Sequence, residues 1–372
     1  MTIQKSFNHW RKNHNLEKTK TAVQSGKSHV RHRPLQLYLE LVTVCNLRCI
    51  MCAIVWDPRR IPGEGRVGYM NTSLIYNLQP LLPQVVSCII TGTGEPTIHP
   101  DFRDIVRFLK RFDCWICFNT NATLLNAEMA EDFLEFGVDS VTVSIDGATK
   151  KTFESIRQGS NYEKIISNVQ GLMEIKKKSG KIRPHVDMEW IVMRENLMEM
   201  PMAVRLAHAL GIGEINFEPL YDNVEDPNYH EFYLQHNVNT LPQEQIQEIF
   251  TQTKEEAHNL SVPIRSRFFL DPGRHNQEEK VGSYQARICT EPWTTMFIAW
   301  DGKVRTCCFN DLSIGDLQTT EFSSIWNGSS YQEFRQGFVL GQPPPSCSQC
   351  IKNGTPRHIL PQILSILNRS ER

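Results

Sequence analysis

The chain has 372 residues, of which 40% are apolar and 22% charged, and its formal net charge is −1. This composition is typical of a globular protein with one large domain and a smaller one. It contains no run of eighteen uncharged apolar residues, and its N-terminus is polar and basic. We therefore expect a cytoplasmic protein without a membrane span or signal peptide, and neither a membrane nor a nucleic acid as its partner. Eleven cysteines in such a chain favour metal ligation over disulfides.

The first 34 residues are strongly basic. They carry eight Lys or Arg residues and one acidic residue, Glu17. A basic arm can hold an anionic substrate or a peptide carrier, but this composition is more typical of a solvated or disordered tail. We interpret residues 1–34 as a basic N-terminal extension.

From residue 35 onward, short β-rich runs alternate with segments of helical periodicity, which is typical of βα units and a parallel sheet. The predicted strands are 35–42, 85–91, 115–119, 140–144, 186–192 and 214–218, with helical patterns between them at 101–112, 127–136, 162–178 and 200–210. Six units are too few for the closed eight-fold barrel. The sequence therefore predicts an α/β fold with a partial (β/α)6 TIM-like barrel over residues 35–220.

Three cysteines follow the first predicted strand: Cys45, Cys49 and Cys52. Three thiolates leave one iron of a [4Fe–4S] cluster without a protein ligand, so that iron can bind a substrate or cofactor. The alternatives are a zinc site or a set of buried thiols, although structural zinc normally takes four ligands. The CxxxCxxC spacing resembles the signature of the radical S-adenosylmethionine (SAM) enzymes, in which the open iron binds the methionine end of SAM.

Polar and glycine-rich segments follow the next three predicted strands, where parallel α/β folds place their active sites. Gly94 and Glu95 lie in a segment that resembles the family's Gly-Gly-Glu-Pro motif, which contacts the SAM amino group. The segments around Asn119 and Ser144 are similar to the family's Thr-Asn-Gly and Ser-Ile-Asp-Gly-Ala segments, and Arg157 matches an arginine that can pair with the SAM carboxylate. The resemblance implies that these five residues bind SAM. Ordinary turn or cap residues are the alternative at each position.

A second group of cysteines lies near the C-terminus: Cys289, Cys307, Cys347 and Cys350. Their pattern resembles the SPASM/Twitch extension of radical SAM enzymes, which implies an auxiliary [4Fe–4S] cluster. No cysteine follows Cys350, so we favour a Twitch-like form with one auxiliary cluster, and structural zinc is the alternative. Cys308 could be the true ligand, a buried thiol or a hydrogen-atom donor, but the spacing from Gly302 favours Cys307. This domain is expected at 286–352, between a bridging region at 221–285 and a C-terminal helix at 353–372.

Three further cysteines have a structural interpretation, and one glutamate has two interpretations. Cys88, Cys114 and Cys117 lie in or beside predicted core strands, and we interpret them as small buried hydrophobic residues. Glu189 lies in the middle of the fifth predicted strand. It either projects into the barrel, where it touches substrate or SAM, or is a partnered carboxylate of the core.

The resemblance implies an enzyme that reductively cleaves SAM to a 5′-deoxyadenosyl radical, which abstracts hydrogen from an unactivated substrate carbon. An external flavodoxin- or ferredoxin-type protein would donate the electron. We expect oxidation or epimerisation of a small polar metabolite, because the first 34 residues lack the strand–helix alternation of a peptide-recognition domain. The alternatives are a ribosomal-peptide-modifying maturase that forms cross-links or epimerises residues, a group-transfer enzyme, and a non-catalytic iron–sulfur or zinc scaffold.

Overall fold

The structure is a computed structural model that describes residues 3–56, 68–222, 224, 226–266, 289–308, 312–347 and 359–369. Its strands are β1 (Gln36–Leu39), β2 (Arg48–Cys49), β3 (Ser87–Ile90), β4 (Trp115–Thr120), β5 (Ser140–Ser144), β6 (Arg157–Gln158), β7 (His185–Val192), β8 (Glu214–Pro219), β9 (Ile264–Ser266), β10 (Thr295–Ile298), β11 (Lys303–Arg305) and β12 (Gly315–Asp316). Its α-helices are α1 (Ile3–Gln24), α2 (Ala53–Trp56), α3 (Thr72–Asn77), α4 (Phe102–Lys110), α5 (Ala127–Phe136), α6 (Lys150–Ile156), α7 (Tyr162–Ser179), α8 (Met200–Leu210), α9 (Pro227–His236), α10 (Gln243–Leu260), α11 (Glu291–Thr294), α12 (Phe322–Trp326), α13 (Ser329–Val339) and α14 (Leu360–Arg369).

A ten-stranded sheet forms the centre of the protein, in the order β12-β11-β10-β1-β3-β4-β5-β7-β8-β9. Neighbouring strands are parallel from β10 to β9, whereas β11 and β12 pair antiparallel. All six predicted strands and all four predicted helices are present, with ends that shift by a few residues. The prediction of an α/β fold with a partial TIM-like barrel and a small C-terminal domain is confirmed.

The two faces of the sheet differ because buried and half-buried residues alternate along several of its strands. In β7, Val186, Met188, Trp190 and Val192 are buried, and the residues between them are half-buried. The same period of two runs through β4 and β5. The apolar side chains of one face join the main core with those of α4, α5, α7 and α8. The opposite, inner face therefore carries the polar side chains.

Residues 3–24 form helix α1, so the expectation of a solvated or disordered tail is wrong for this segment. Leu16 is buried in a cluster with Leu35 and with Ile363 of α14. Lys12 is also buried, and its Nζ donates to the carbonyl oxygen of Phe112, just beyond the end of α4, at 3.0 Å. The basic composition was misleading because Lys12 caps backbone carbonyls instead of facing solvent.

The segment after α1 is held by side chains of the C-terminal region. The indole N–H of Trp293 donates to the carbonyl of Lys27 at 2.7 Å, and that of Trp326 donates to the carbonyl of His32 at 2.9 Å. The C-terminal region also supplies β10, which pairs with β1. The C-terminal region thus contacts both the segment that precedes β1 and β1 itself.

The predicted bridging region contains α9, α10 and β9. Helix α10 packs against α8, and β9 continues the sheet beyond β8. Helix α14 lies within residues 353–372, where the sequence predicted a C-terminal helix. Among the described residues, no helix combines the length and apolar character needed to cross a membrane.

Candidate active site

The carboxyl ends of the parallel strands surround a cavity of about 400 Å³. It is lined by all eight residues predicted to hold the first cluster or SAM: Cys45, Cys49, Cys52, Gly94, Glu95, Asn119, Ser144 and Arg157. A cavity of this volume lies in the range of roughly 300–1,000 Å³ that is usual for small-molecule sites. The structure therefore brings side chains from five separate chain segments to one site.

The loop with the cysteine triad (Cys45, Cys49 and Cys52) is fastened to the loop that carries Arg157. Strand β2 pairs antiparallel with β6, which places Cys49 opposite Arg157. The backbone N–H of Cys52 donates to the carbonyl of Cys49 at 3.0 Å. Within the described ranges, no three His, Cys, Asp or Glu side chains are close enough to hold one metal ion. In a [4Fe–4S] cluster each thiolate binds a different iron, so the three thiols need not converge on one point.

The chemistry of the triad fits an iron–sulfur cluster. Three thiols line one cavity, and thiolates are the ligands of such clusters. Burial raises the pKa of the Cys49 thiol to about 12, and it raises the pKa of Cys45 as well. Cluster binding would therefore release protons from these thiols.

The glycine-rich turn after β3 lies directly on the segment that leads to the triad. A Cβ atom at Gly94 would lie 2.6 Å from the carbonyl oxygen of Val42 and 2.5 Å from that of Val44. The N–H of Gly94 donates to Val42 at 3.2 Å, and the N–H of Glu95 donates to Val44 at 2.9 Å. Glycine is required at position 94 because any side chain would separate the turn from this segment.

The Glu95 carboxylate joins two of the loops around the cavity. Its Oε1 accepts from the hydroxyls of Thr97 at 2.6 Å and Thr120 at 2.8 Å, and from the N–H of Thr97 at 3.2 Å. Its Oε2 accepts from the N–H of Asn121 at 2.7 Å. Burial raises the pKa of Glu95, whereas these hydrogen bonds lower it. The predicted contact with the SAM amino group stays a prediction.

Asn121 is a site residue that the sequence analysis missed. Its Nδ2 donates to the Sγ of Cys45 at 3.7 Å and to Oδ1 of Asn46 at 2.9 Å. Its Oδ1 accepts from the N–H of Thr123 at 3.0 Å and from its hydroxyl at 2.7 Å. The next residue, Ala122, has φ of 57°, a left-handed conformation that is uncommon outside glycine. The only sequence signal for Asn121 was its place in the polar segment that contains Asn119.

Arg157 contacts both a sulfur atom and a buried carboxylate. Its Nη2 lies 2.6 Å from Oδ2 of Asp146, and its Nη1 donates to the Sγ of Cys49 at 3.7 Å. Asp146, also missed by the sequence analysis, accepts from the N–H of Ile191 at 2.6 Å through its Oδ1. Burial raises the pKa of Asp146, and Arg157 opposes that shift. Pairing of Arg157 with the SAM carboxylate stays a prediction.

Asn119, Ser144 and Glu189 lie side by side on the inner face. Ser144 and Glu189 are partners in the register of β5 and β7. Nδ2 of Asn119 donates to Oε2 of Glu189 at 2.5 Å, and all three residues line the cavity. Glu189 therefore faces the cavity and has a partner, and its contact with substrate or SAM stays a prediction.

Aromatic side chains of α9 pack against the triad loop. The ring centroid of Trp56 lies 5.9 Å from that of Tyr229 and 5.1 Å from that of Phe232. The Tyr229 hydroxyl donates to the carbonyl of Tyr221 at 2.7 Å, and both tyrosines line the cavity. These aromatic side chains form one apolar cluster with Ile50 and Met51 of the triad loop.

None of the four described C-terminal cysteines lines this cavity, and Cys350 lies outside the described residues. Cys289, Cys307, Cys308 and Cys347 are half-buried. Cys289 and Cys347 pack against the main core, whereas Cys308 packs against a small cluster that contains Tyr38 and Phe297. The choice of Cys307 as a ligand stays a prediction. Among the remaining cysteines, Cys88 and Cys114 are buried as expected, whereas Cys117 is half-buried.

Comparison with protein families gives two matches. Residues 39–207 match the model of the radical SAM superfamily. The chain therefore belongs to this superfamily, and it is an enzyme of that class. Residues 289–351 match an iron–sulfur cluster-binding domain, the SPASM domain. The protein is thus a SPASM-containing radical SAM enzyme whose cofactors are SAM, a [4Fe–4S] cluster and an auxiliary iron–sulfur cluster.

Several known proteins resemble the chain. It is 28% identical over 340 residues to the tungsten-containing aldehyde ferredoxin oxidoreductase cofactor-modifying protein of Pyrococcus furiosus, covering 84% of this chain and 86% of that one. It is 26% identical over 179 residues to the mycofactocin maturase MftC of Mycobacterium ulcerans, a match that spans 48% of this chain and 45% of MftC. Its fold is similar to that of Streptococcus suis SuiB bound to the precursor peptide SuiA, with a TM-score of 0.64 and 13% identity. That match covers 86% of this chain and 70% of SuiB.

Proposed function

We propose that the protein removes a hydrogen atom from an unactivated carbon of a small polar substrate and thereby oxidises or epimerises it. When bound, SAM and the first cluster supply the 5′-deoxyadenosyl radical that takes this hydrogen atom. The observation that carries the proposal is the single cavity lined by the cysteine triad, the glycine-rich turn and the polar strand ends. The same cavity offers hydrogen-bond donors and acceptors to a polar substrate, such as the Asn119 amide and the Glu189 carboxylate.

Each part of the cavity has a proposed task. The triad would hold the first cluster, and the turn at Gly94 and Glu95 would face the amino group of SAM. Asn119 and Ser144 are short hydrogen-bonding side chains suited to ribose hydroxyls or to the carboxylate of SAM. The aromatic residues of α9 and the triad loop would exclude water, which protects a reactive radical from side reactions.

The C-terminal cysteines would decide the outcome. Together with Cys350, Cys289, Cys307 and Cys347 would hold one auxiliary [4Fe–4S] cluster, whose one-electron chemistry suits oxidation. Cys308 packs beside Tyr38 and Phe297, and a thiol can return a hydrogen atom to a substrate radical, which gives epimerisation. The electron for SAM cleavage would come from a flavodoxin- or ferredoxin-type donor in the cytoplasm.

The direct test is product analysis after anaerobic cluster reconstitution. Protein with SAM and dithionite should form 5′-deoxyadenosine and methionine, and alanine at all three triad positions should abolish both. A variant with alanine at Cys88 and Cys114 is the matched control, because these buried thiols lie outside the cavity. S-adenosylhomocysteine as the product would indicate group transfer instead. A loaded protein that leaves SAM intact would indicate a scaffold.

A peptide substrate is the second candidate, and it is supported by the likeness of the fold to SuiB, which was solved with a precursor peptide. The two candidates differ in which deuterated compounds transfer deuterium to 5′-deoxyadenosine. Transfer from a deuterated small metabolite supports the first candidate. Transfer only from a deuterated precursor peptide supports a maturase.

A further inference from the structure

Two of the three triad sulfurs receive hydrogen bonds from side chains on neighbouring loops. Nδ2 of Asn121 donates to Cys45, and Nη1 of Arg157 donates to Cys49, each at 3.7 Å. The backbone N–H of Leu47 also donates to Cys45 at 3.4 Å. Hydrogen bonds to cluster sulfurs stabilise the more negative, reduced state, so they influence the reduction potential.

Both donors are held in place on their far side. Oδ1 of Asn121 accepts from the N–H and the hydroxyl of Thr123, which fixes the amide so that its NH₂ group points to Cys45. The backbone N–H of the same residue donates to the buried Glu95 carboxylate. These three hydrogen bonds hold Asn121 in place, which indicates that its contact with Cys45 is a stable feature of the site.

The guanidinium is fixed in a similar way. Asp146 is fully buried and binds Nη2 of Arg157, while its other oxygen accepts from the N–H of Ile191 at the end of β7. The pairing of β2 with β6 sets Cys49 directly opposite Arg157. Nη1 is therefore directed at the sulfur by the carboxylate on one side and by the strand register on the other.

We propose that Asn121 and Arg157 are positioning residues that raise the reduction potential of the cluster on the triad, and that Glu95 and Asp146 orient them. This inference rests on the proposed function only in placing the cluster on the triad. It applies to the one-electron reduction of the cluster by dithionite, which needs no substrate. A failure of 5′-deoxyadenosine formation is thus distinguishable from a failure of this proposal.

The test is a redox titration of the cluster, followed by electron paramagnetic resonance. To leave the triad cluster as the only one observed, it is made in protein with alanine at Cys289, Cys307 and Cys347. Asn121→Ala removes one donor. Arg157→Lys keeps the charge next to Asp146 but lacks a second nitrogen that could donate to Cys49 while the first one binds Asp146. At the midpoint potential of the parent protein, the ratio of reduced to oxidised cluster should fall about three- to tenfold in each variant, and tenfold is 59 mV for a one-electron couple.

Asn168→Ala is the matched control, because the amide of Asn168 donates to the carbonyl of Ala122 at 2.8 Å and thus supports the same turn through a backbone oxygen atom instead of a sulfur atom. Its midpoint potential should equal that of the parent. If Asn121→Ala fails to hold four irons, Asn121→Asp replaces it, since aspartate keeps the contacts with Thr123 and presents oxygen to Cys45. The proposal would be overturned if the midpoint potential were unchanged both in Arg157→Lys and in the Asn121 variant that holds four irons, Asn121→Ala or its replacement Asn121→Asp.

Discussion

Replacement of Asp146 by alanine should destabilise the protein more than any surface change, because it leaves a buried guanidinium without its carboxylate. The side chain of Asp146 has 0% and that of Arg157 has 10% of its surface exposed. Removing one partner of a buried ion pair costs about 3–5 kcal/mol. The N–H of Ile191 would also lose its acceptor, which costs about 1–3 kcal/mol. Because the two losses share one site and do not add fully, we expect a total of about 4–6 kcal/mol.

The measurement is anaerobic urea unfolding of the cluster-loaded protein, followed by circular dichroism, with the free energy taken from the midpoint and slope. The double variant Asp146→Ala/Arg157→Met is the decisive control. It removes both charges, so it should recover about 2 kcal/mol or more relative to Asp146→Ala alone. A loss below about 1 kcal/mol for Asp146→Ala, or a double variant less stable than the single one, would refute the reasoning.

Three further predictions concern the clusters, the core and pH. Reconstituted protein should hold about eight irons per chain, and the variant with alanine at the three triad positions should hold about four. About four irons in the parent and none in that variant, with one zinc retained, would contradict an auxiliary iron–sulfur cluster. Leu16→Ala should cost about 2–5 kcal/mol in urea unfolding, against about 0.5 kcal/mol or less for the exposed Leu340→Ala, and equal losses would disprove the docking of α1. Burial lowers the pKa of His32 from 6.5 to about 4, so the unfolded state binds a proton first as the pH falls. Stability should therefore decrease between pH 6.5 and 4 by at most about 3 kcal/mol, and a His32→Phe variant with the same pH dependence would contradict this assignment.

The sequence predicted the barrel well because its signals are local. Alternating buried residues in β7 and glycine-rich segments after the strands depend on neighbours in the chain. The parallel strands then bring distant loops together, so one cavity could be expected to contain both Cys45 and Ser144. The sequence did not predict which groups these side chains contact. The contact between Asn121 and Cys45 spans 76 residues, and no local pattern encodes it.

The N-terminal helix was missed for a related reason. Composition describes average solvation, and eight basic residues in 34 suggest an exposed tail. The structure instead uses Leu16 as an apolar anchor and Lys12 as a cap for carbonyls more than ninety residues away in the chain. Such docking depends on a surface that exists only after the barrel has formed.

The pairing of β10 with β1 has a consequence for biosynthesis. During translation, β1 can pair with β3 soon after both leave the ribosome, but its other edge must wait for residues 295–298. At about 5–20 residues per second this interval lasts roughly 10–40 s. For that time the strand that leads to the triad presents backbone N–H and C=O groups on one open edge, which can template pairing with another nascent chain. A chaperone that covers this edge during translation should therefore raise the yield of folded protein. A lower temperature that is applied only after synthesis is complete should raise it less.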